Sequence, residues 1–258
     1  MARDFPGGSS FLTIADNLGI TDVPMSVSGW MNLDTLIYSV LFWLGDQSVA
    51  NHYIKFQYFG GTDAPVTFET RSGNPSNAIA ETVNTLVSGW NHLYGETSAP
   101  TARRCVLNGD FANQGTNTTN RSFPTTNRTA LGMARDSTPD GNVDGLLAEV
   151  GVWNVALTDA EVASLAAGVS PLRIRRANLV AYWPLQGNSV SGTFDASGNG
   201  FTLTETGTVD ASAQHAPVMP PFAWDPIIVA VAAAAPAVDS ALFASIAKRR
   251  AHLTRVRM

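Results

Sequence analysis

The residues that could do chemistry on this chain are scattered. A retaining glycoside hydrolase needs two carboxyl groups about 5–5.5 Å apart, yet no Glu-x-Asp-x-x-Glu string or similar cluster is present. Glu69, Glu81, Glu96, Glu149 and Glu205 each stand apart in the sequence. There is no Gly-x-Ser-x-Gly elbow and no phosphate-binding glycine loop. The four histidines, His52, His92, His215 and His252, are widely separated. His92, close to Trp90, reads as a structural wall residue. The single cysteine, Cys105, sits in the apolar alternation of "RRCVL" and reads as a buried thiol. It also excludes an internal disulfide framework. These observations predict a protein that is not an enzyme and needs no cofactor.

One string has the look of a metal loop. In "DGNVDG", Asp140, Asn142 and Asp144 alternate oxygen donors as calcium loops do. An EF-hand would also require Glu at the twelfth position, which is Gly151 here, so a turn built on Asp-Gly chemistry is the competing reading. Calcium at Asp140, Asn142 and Asp144 therefore stands as a candidate. Trp30, Trp43, Trp90, Trp153 and Trp183 lie in apolar strand contexts and read as packing residues, whereas Trp224 lies in a proline-rich stretch. Aromatics in such stretches often anchor interfaces.

The elements that would position these groups read as strands. "MSVSGW", "SVLFWLG", "YIKFQYF" and "PVTFET" are apolar or alternating runs bounded by turn residues. In the third, Ile54, Phe56 and Tyr58 share one face while Lys55 and Gln57 take the other; Val66 and Phe68 continue the pattern in the fourth. A period of two is what a half-buried strand shows, because successive side chains point to opposite faces. Asn108-Gly109 predicts a two-residue hairpin turn. Ala112–Asn127, rich in Thr, Asn and Gln, reads as an exposed polar loop; its sequons at Asn117, Asn120 and Asn127 would matter only in a secreted eukaryotic protein. Strand character returns in "RTALGMARD" and in "GLLAEVGVW", where Ala148, Val150 and Val152 alternate against Glu149. "LVAYWPL" and "FTLTETG" follow later.

One short helix is predicted at "TDAEVASLAAG". Thr158 and Glu161 match a capping box, Leu157 and Val162 a hydrophobic staple, and Gly168 a left-handed terminator. Val162 and Leu165 would hold it to the outside of the strands.

Composition agrees with this picture. Of 258 residues 45% are hydrophobic and only 14% charged, with 22 Gly and 14 Pro, which suits many short strands and tight turns. A net charge of −5 offers nothing to attract nucleic acid. From Ala223 onward the balance reverses, with Lys248, Arg249, Arg250, Arg255 and Arg257 against Asp225 and Asp239. That basic end is either a docking element or a solvated terminus. The apolar run after residue 226 is broken by Pro236 and Asp239, unlike a membrane span of about 20 apolar residues. The expected division is a sandwich over residues 1–216 and a Pro/Ala-rich arm over residues 217–258. Phe222, Trp224, Ile227, Ile228, Val229, Leu242, Phe243 and Ile246 are the arm's candidate partner-binding residues. A helix folded back on its own domain is the alternative for this region. "MARDFPGGSS" shows no secretion signal.

The order of strands and turns resembles the laminin G-like (concanavalin A-like lectin/glucanase) family over roughly residues 20–215. "VSGWMNL" is similar to its early Trp-bearing strand, and "GWNHLYGETSAPTARRCVLNGD" to its Trp-x-His strand and following hairpin. "DGLLAEVGVWNVALTDAEVASLAAG" resembles its late strand and capped helix. "NLVAYWPLQGN" with "DASGNGFTL" resembles the strand pair that usually opens the domain. The resemblance implies an all-β, antiparallel jelly-roll sandwich with one short helix and an extended C-terminal arm. Here the "LVAYWPL" strand follows the helix, an order resembling versions in tailed-bacteriophage structural proteins. This implies a virion protein, a head decoration or tail component made in the host cytoplasm. It would attach through its arm to other virion proteins or sister subunits, as a homo-oligomer, with no nucleic-acid or membrane partner. The alternative is a carbohydrate-binding module for cell-surface glycans. The acidic residue the family often carries just before Glu-Val is Ala148 here.

Overall fold

A computed structural model describes residues 2–73, 77–136, 139–186 and 193–218. Two antiparallel sheets face each other across an apolar interior, the jelly-roll sandwich the sequence predicts. The first sheet runs β10 (Gly115–Asn117), β9 (Ala102–Leu107), β8 (Asn91–Ala99), β3 (Met25–Leu33), β12 (Asp144–Trp153), β1 (Ala2–Pro6) and β15 (Asp210–Ser212); β13 (Leu179–Trp183) also pairs with β12. The second runs β14 (Thr204–Thr206), β2 (Phe11–Ile14), β11 (Arg128–Leu131), β4 (Ser39–Gly45), β5 (His52–Tyr58), β6 (Val66–Ser72) and β7 (Ala78–Glu81).

The predicted alternation holds in β5 and β6. Ile54, Phe56, Tyr58, Val66 and Phe68 enter the inter-sheet core with Leu93, Leu107, Leu131, Leu147, Val150 and Trp183. The sheets approach so closely that a Cβ at Gly95 would run into the Phe68 ring. Cys105 is buried in this core, which pushes its thiol pKa up, so it is a packing residue.

The helix α1 (Asp159–Ala166) forms with both halves of its capping box in place. Gly168, at φ +89°, follows its end. Val162, Leu165 and the staple residue Leu157 pack on Tyr94, Val106 and Trp153, outside the first sheet. Among the described residues no helix is long and apolar enough to cross a membrane.

Three expectations need correction, and two strands were not foreseen. β1 and β2 were not legible; each is short and lies in a different sheet, held by partners more than a hundred residues away. Asn108 and Gly109 do take positive φ values (54° and 69°), and the predicted turn closes, with the Asp110 amide donating to the Leu107 carbonyl at 3.0 Å, but the strands do not pair directly across it. Asp110 accepts hydrogen bonds from the amides of Ala112 and Asn113, winding a short 3-10 turn, so the chain returns only at β10, where Gly115 pairs with Cys105. Within Ala112–Asn127, Gly115–Asn117 is therefore an edge strand, and the remainder beyond it is the mostly exposed loop expected, held where Arg103 donates to the carbonyls of Thr119 and Arg121. In β12 a bulge at Glu149 (φ +56°) inverts the side-chain phase. Val150 and Val152 face the core, while Ala148 packs outside with Trp30 and Leu146. The candidate arm residues Phe222, Trp224, Ile227, Ile228, Val229, Leu242, Phe243 and Ile246 lie outside the described residues.

Candidate functional site

The off-core faces of β5 and β6 carry the groups that matter. Their antiparallel register sets Tyr53 opposite Arg71, Lys55 opposite Glu69 and Gln57 opposite Thr67. Facing side chains on neighbouring strands lie close enough to interact directly, so the alternation that buries Ile54, Phe56 and Phe68 also assembles a polar wall. Tyr38, just before β4, and Phe59, just after β5, extend it together at one end, and Asn77 adds to it before β7. The β11–β12 connection brings Asp136 and Asp140 to the other side. Together they line a groove of about 520 Å³.

Glu69 is the centre of the wall. One carboxylate oxygen accepts from the Tyr53 hydroxyl (3.1 Å) and from Asn77 Nδ2 (2.9 Å); the other accepts from Gln57 Nε2 (3.4 Å), with Lys55 Nζ at 3.9 Å. Lys55 donates to the Tyr38 hydroxyl at 2.7 Å. Its ammonium stands 4.8 Å from the Tyr53 ring centroid and 5.4 Å from that of Tyr38, within cation–π range. Tyr38 in turn donates to Gln57 Oε1 at 2.7 Å, with Asp140 Oδ1 at 3.5 Å. Lys55, Gln57 and Glu69 are all buried. Buried polar groups persist only when partnered, and each of these is.

The electrostatics keep the two phenols of this arrangement protonated. Burial, reinforced by the neighbouring carboxylates, pushes the Tyr38 and Tyr53 phenols up, so both remain hydrogen-bond donors. Burial likewise raises Asp140; Lys55 opposes this and Asp136 adds to it. Phe59, at 46% exposure, offers its ring to the groove, with the Tyr38 ring 6.2 Å away. The wall thus presents a fixed set of donors, acceptors at the mouth and one open aromatic face. Such a surface can hold a polyhydroxylated ligand by its hydroxyls and its apolar side.

The groups singled out from the sequence are distributed otherwise. Asp140 belongs to the groove, bridged to Ala134, whereas Asp144 accepts from the Thr35 hydroxyl (2.7 Å). Asn142 lies between them in the chain. Among the described residues no group of three or more His, Cys, Asp or Glu side chains could hold a metal ion. Ala148 sits in an apolar cluster with Trp30, Leu146 and Ala216, so no donor stands where the family's acidic residue would be. His92 is a wall residue: its Nε2 lies 2.8 Å from Ser28 Oγ, and Trp30 meets its ring edge-on. Trp30, Trp43, Trp153 and Trp183 are buried, and the partly buried Trp90 packs against the apolar cluster that contains Trp30 and Ala148.

Four of the five glutamates read as solitary prove partnered: Glu96 by Tyr94 and Arg104, Glu205 by Arg3, and two more. Glu69 holds the groove wall, and Glu149 accepts from Tyr182 and Gln186 with His215 3.7 Å away. The groove was foreshadowed by Lys55, Gln57 and Glu69 falling on off-core positions of consecutive strands. The signal that would have joined them was the β5–β6 register.

Two facing antiparallel sheets, a capped helix on the outside of one and a polar groove on the outside of the other define a lectin-like β-sandwich. The chain belongs to the concanavalin A-like lectin/glucanases superfamily, whose model matches residues 6–163. In fold it is similar to a heptameric SAP-like pentraxin from Limulus polyphemus (TM-score 0.58, 15% identity, 82% of this chain and 95% of that one). It is also similar to the CBM40 domain of a Ruminococcus gnavus sialidase, solved with α2,3-sialyllactose (TM-score 0.51, 11% identity, 64% and 96%). No curated protein sequence matches the chain.

Proposed function

We propose that this chain is a non-catalytic glycan-binding module whose site is the groove between β5, β6 and the β11–β12 connection. The observation that carries this reading is the pre-set polar wall centred on Glu69, with the half-exposed Phe59 ring beside it. Rigid donors and acceptors next to an aromatic face match the hydroxyl-rich edge and apolar side of a pyranose. Because the wall's bonds exist before any ligand arrives, little ordering remains to oppose binding. Similar folds solved with a saccharide, such as the sialyllactose-bound CBM40 domain, support the reading at the level of the scaffold. A glycan array run with and without calcium tests it. Binding is expected, and Phe59→Ala and Lys55→Met should abolish it. Binding that survives both substitutions would place the site elsewhere.

A role in a bacteriophage particle, as head decoration or tail component, is compatible with this reading. It is favoured by the position of the "LVAYWPL" strand, which pairs with β12 from the C-terminal side of the helix. On that reading the segment from Phe222 to about Ile246 grips other virion proteins or a sister subunit. Truncation at Pro217 tests it: a shortened protein that still joins particles would remove the arm as the attachment element.

A further inference from the structure

With the groove read as the saccharide site, on which everything below rests, its layout along β5 decides how much of a glycan it engages. The lining runs from Asn51, just before that strand, through Tyr53, Lys55 and Gln57 to Phe59, just after it. Side chains two residues apart share a strand face, so the groove follows β5 from end to end, and at about 3.3 Å per residue Asn51 and Phe59 stand about 25 Å apart. The register with β6 sets Arg71 beside Tyr53, at the Asn51 end, and Glu69 beside Lys55, at the centre. Tyr38 belongs to the other end, with its ring 6.2 Å from that of Phe59 and its hydroxyl 3.5 Å from Asp140 Oδ1.

Burial divides this length. Tyr53, Lys55, Gln57 and Glu69 form a buried floor. The groups that reach solvent gather at the two ends: Phe59, Asp140 and part of Tyr38 at one, Ala50, Asn77 and parts of Asn51 and Arg71 at the other. The first end offers a ring to cover the apolar side of a sugar, and the second offers amides and a guanidinium to its hydroxyls. A single pyranose engages one end only. A linear chain laid along β5 engages both, and once one end is held the other binds at a high effective concentration. We infer that the groove takes a linear oligosaccharide several units long, parallel to β5, with one unit over Phe59 and another at Asn51 and Arg71.

The experiment is calorimetric titration of the full chain with cello-, xylo-, laminari- and chito-oligosaccharides of one to six units. In a series that binds, affinity should rise about tenfold or more from the two-unit to the six-unit member. Phe59→Ala should weaken every member, whereas Asn51→Gly should cut the rise with length. Asn51 sits at φ +65°, which glycine adopts without strain, so that variant keeps its local backbone. One-unit and six-unit members that bind equally, with binding lost in Phe59→Ala, would overturn the inference while leaving the groove as the saccharide site. So would a length dependence that Asn51→Gly leaves intact. If the glycan array shows binding but none of these linear series binds, the inference falls alone. If the array and every series are negative, the saccharide reading itself falls, and the inference with it.

Discussion

His92 makes the acid sensitivity of this sandwich calculable. It lies on β8 opposite Trp30, 1% exposed, with Ser28 Oγ at 2.8 Å from Nε2. Burial holds its pKa down at about 3 against an ordinary value of 6.5, because a charged imidazole there would lose its hydration. An unfolded chain therefore takes up this proton near pH 6.5, and the folded one only near pH 3. The stability linked to His92 is complete above pH 6.5 and is lost as the pH falls from there toward 3. The full difference is on the order of 5 kcal/mol, of which about 2 kcal/mol is gone by about pH 5. For a domain of this size 2 kcal/mol corresponds to a fall in Tm of about 4–8 °C. His92→Gln keeps a hydrogen-bonding group toward Ser28 but cannot titrate. Urea unfolding of both proteins at about pH 7.5 and about pH 5 should show the wild type losing about 2 kcal/mol more than the variant between the two conditions. Parallel losses in both proteins would refute the reasoning, as would an NMR titration of the His92 ring with a midpoint near 6.5.

Three further outcomes are expected. Glu69→Ala should cost about 3 kcal/mol or more in denaturant unfolding, because it leaves the buried Lys55 ammonium without its anion, whereas Glu69→Gln should cost less. Glu149, whose pKa is raised by burial, binds its proton more tightly folded than unfolded, so its ionisation subtracts stability as the pH rises through the carboxylate range. The stability of Glu149→Gln relative to wild type should accordingly increase between about pH 4 and neutral pH, as read by thermal unfolding. Thr158→Ala removes one half of the capping box and should destabilise by about 1 kcal/mol, again by thermal unfolding, with groove binding unchanged.

What could be read from residue order was whatever is decided within a few residues of itself. The period-two runs of β5 and β6 placed Ile54, Phe56, Val66 and Phe68 in the core without reference to any partner strand. The Thr158–Glu161 box and Gly168 delimited the helix in the same local way. A glycine-rich, charge-poor composition indicated many short strands, and the lectin-like sandwich followed from the resemblance of their order to the laminin G-like family. Local signals failed where a second local device or a long-range partner overrode them. Asn108-Gly109 has the dihedrals of a hairpin, but the Asp110 cap diverts the chain, and the bulge at Glu149 reverses which residues of β12 face inward.

The groove belongs wholly to that second category. Lys55, Gln57 and Glu69 on off-core positions could equally have been a solvated face. Only the pairing of β5 with β6, and the return of Asp136 and Asp140 from some eighty residues along the chain, enclosed them. A side chain's face is settled by its own backbone, but what stands opposite that face is settled by contacts between distant segments, and a binding site is made of the latter.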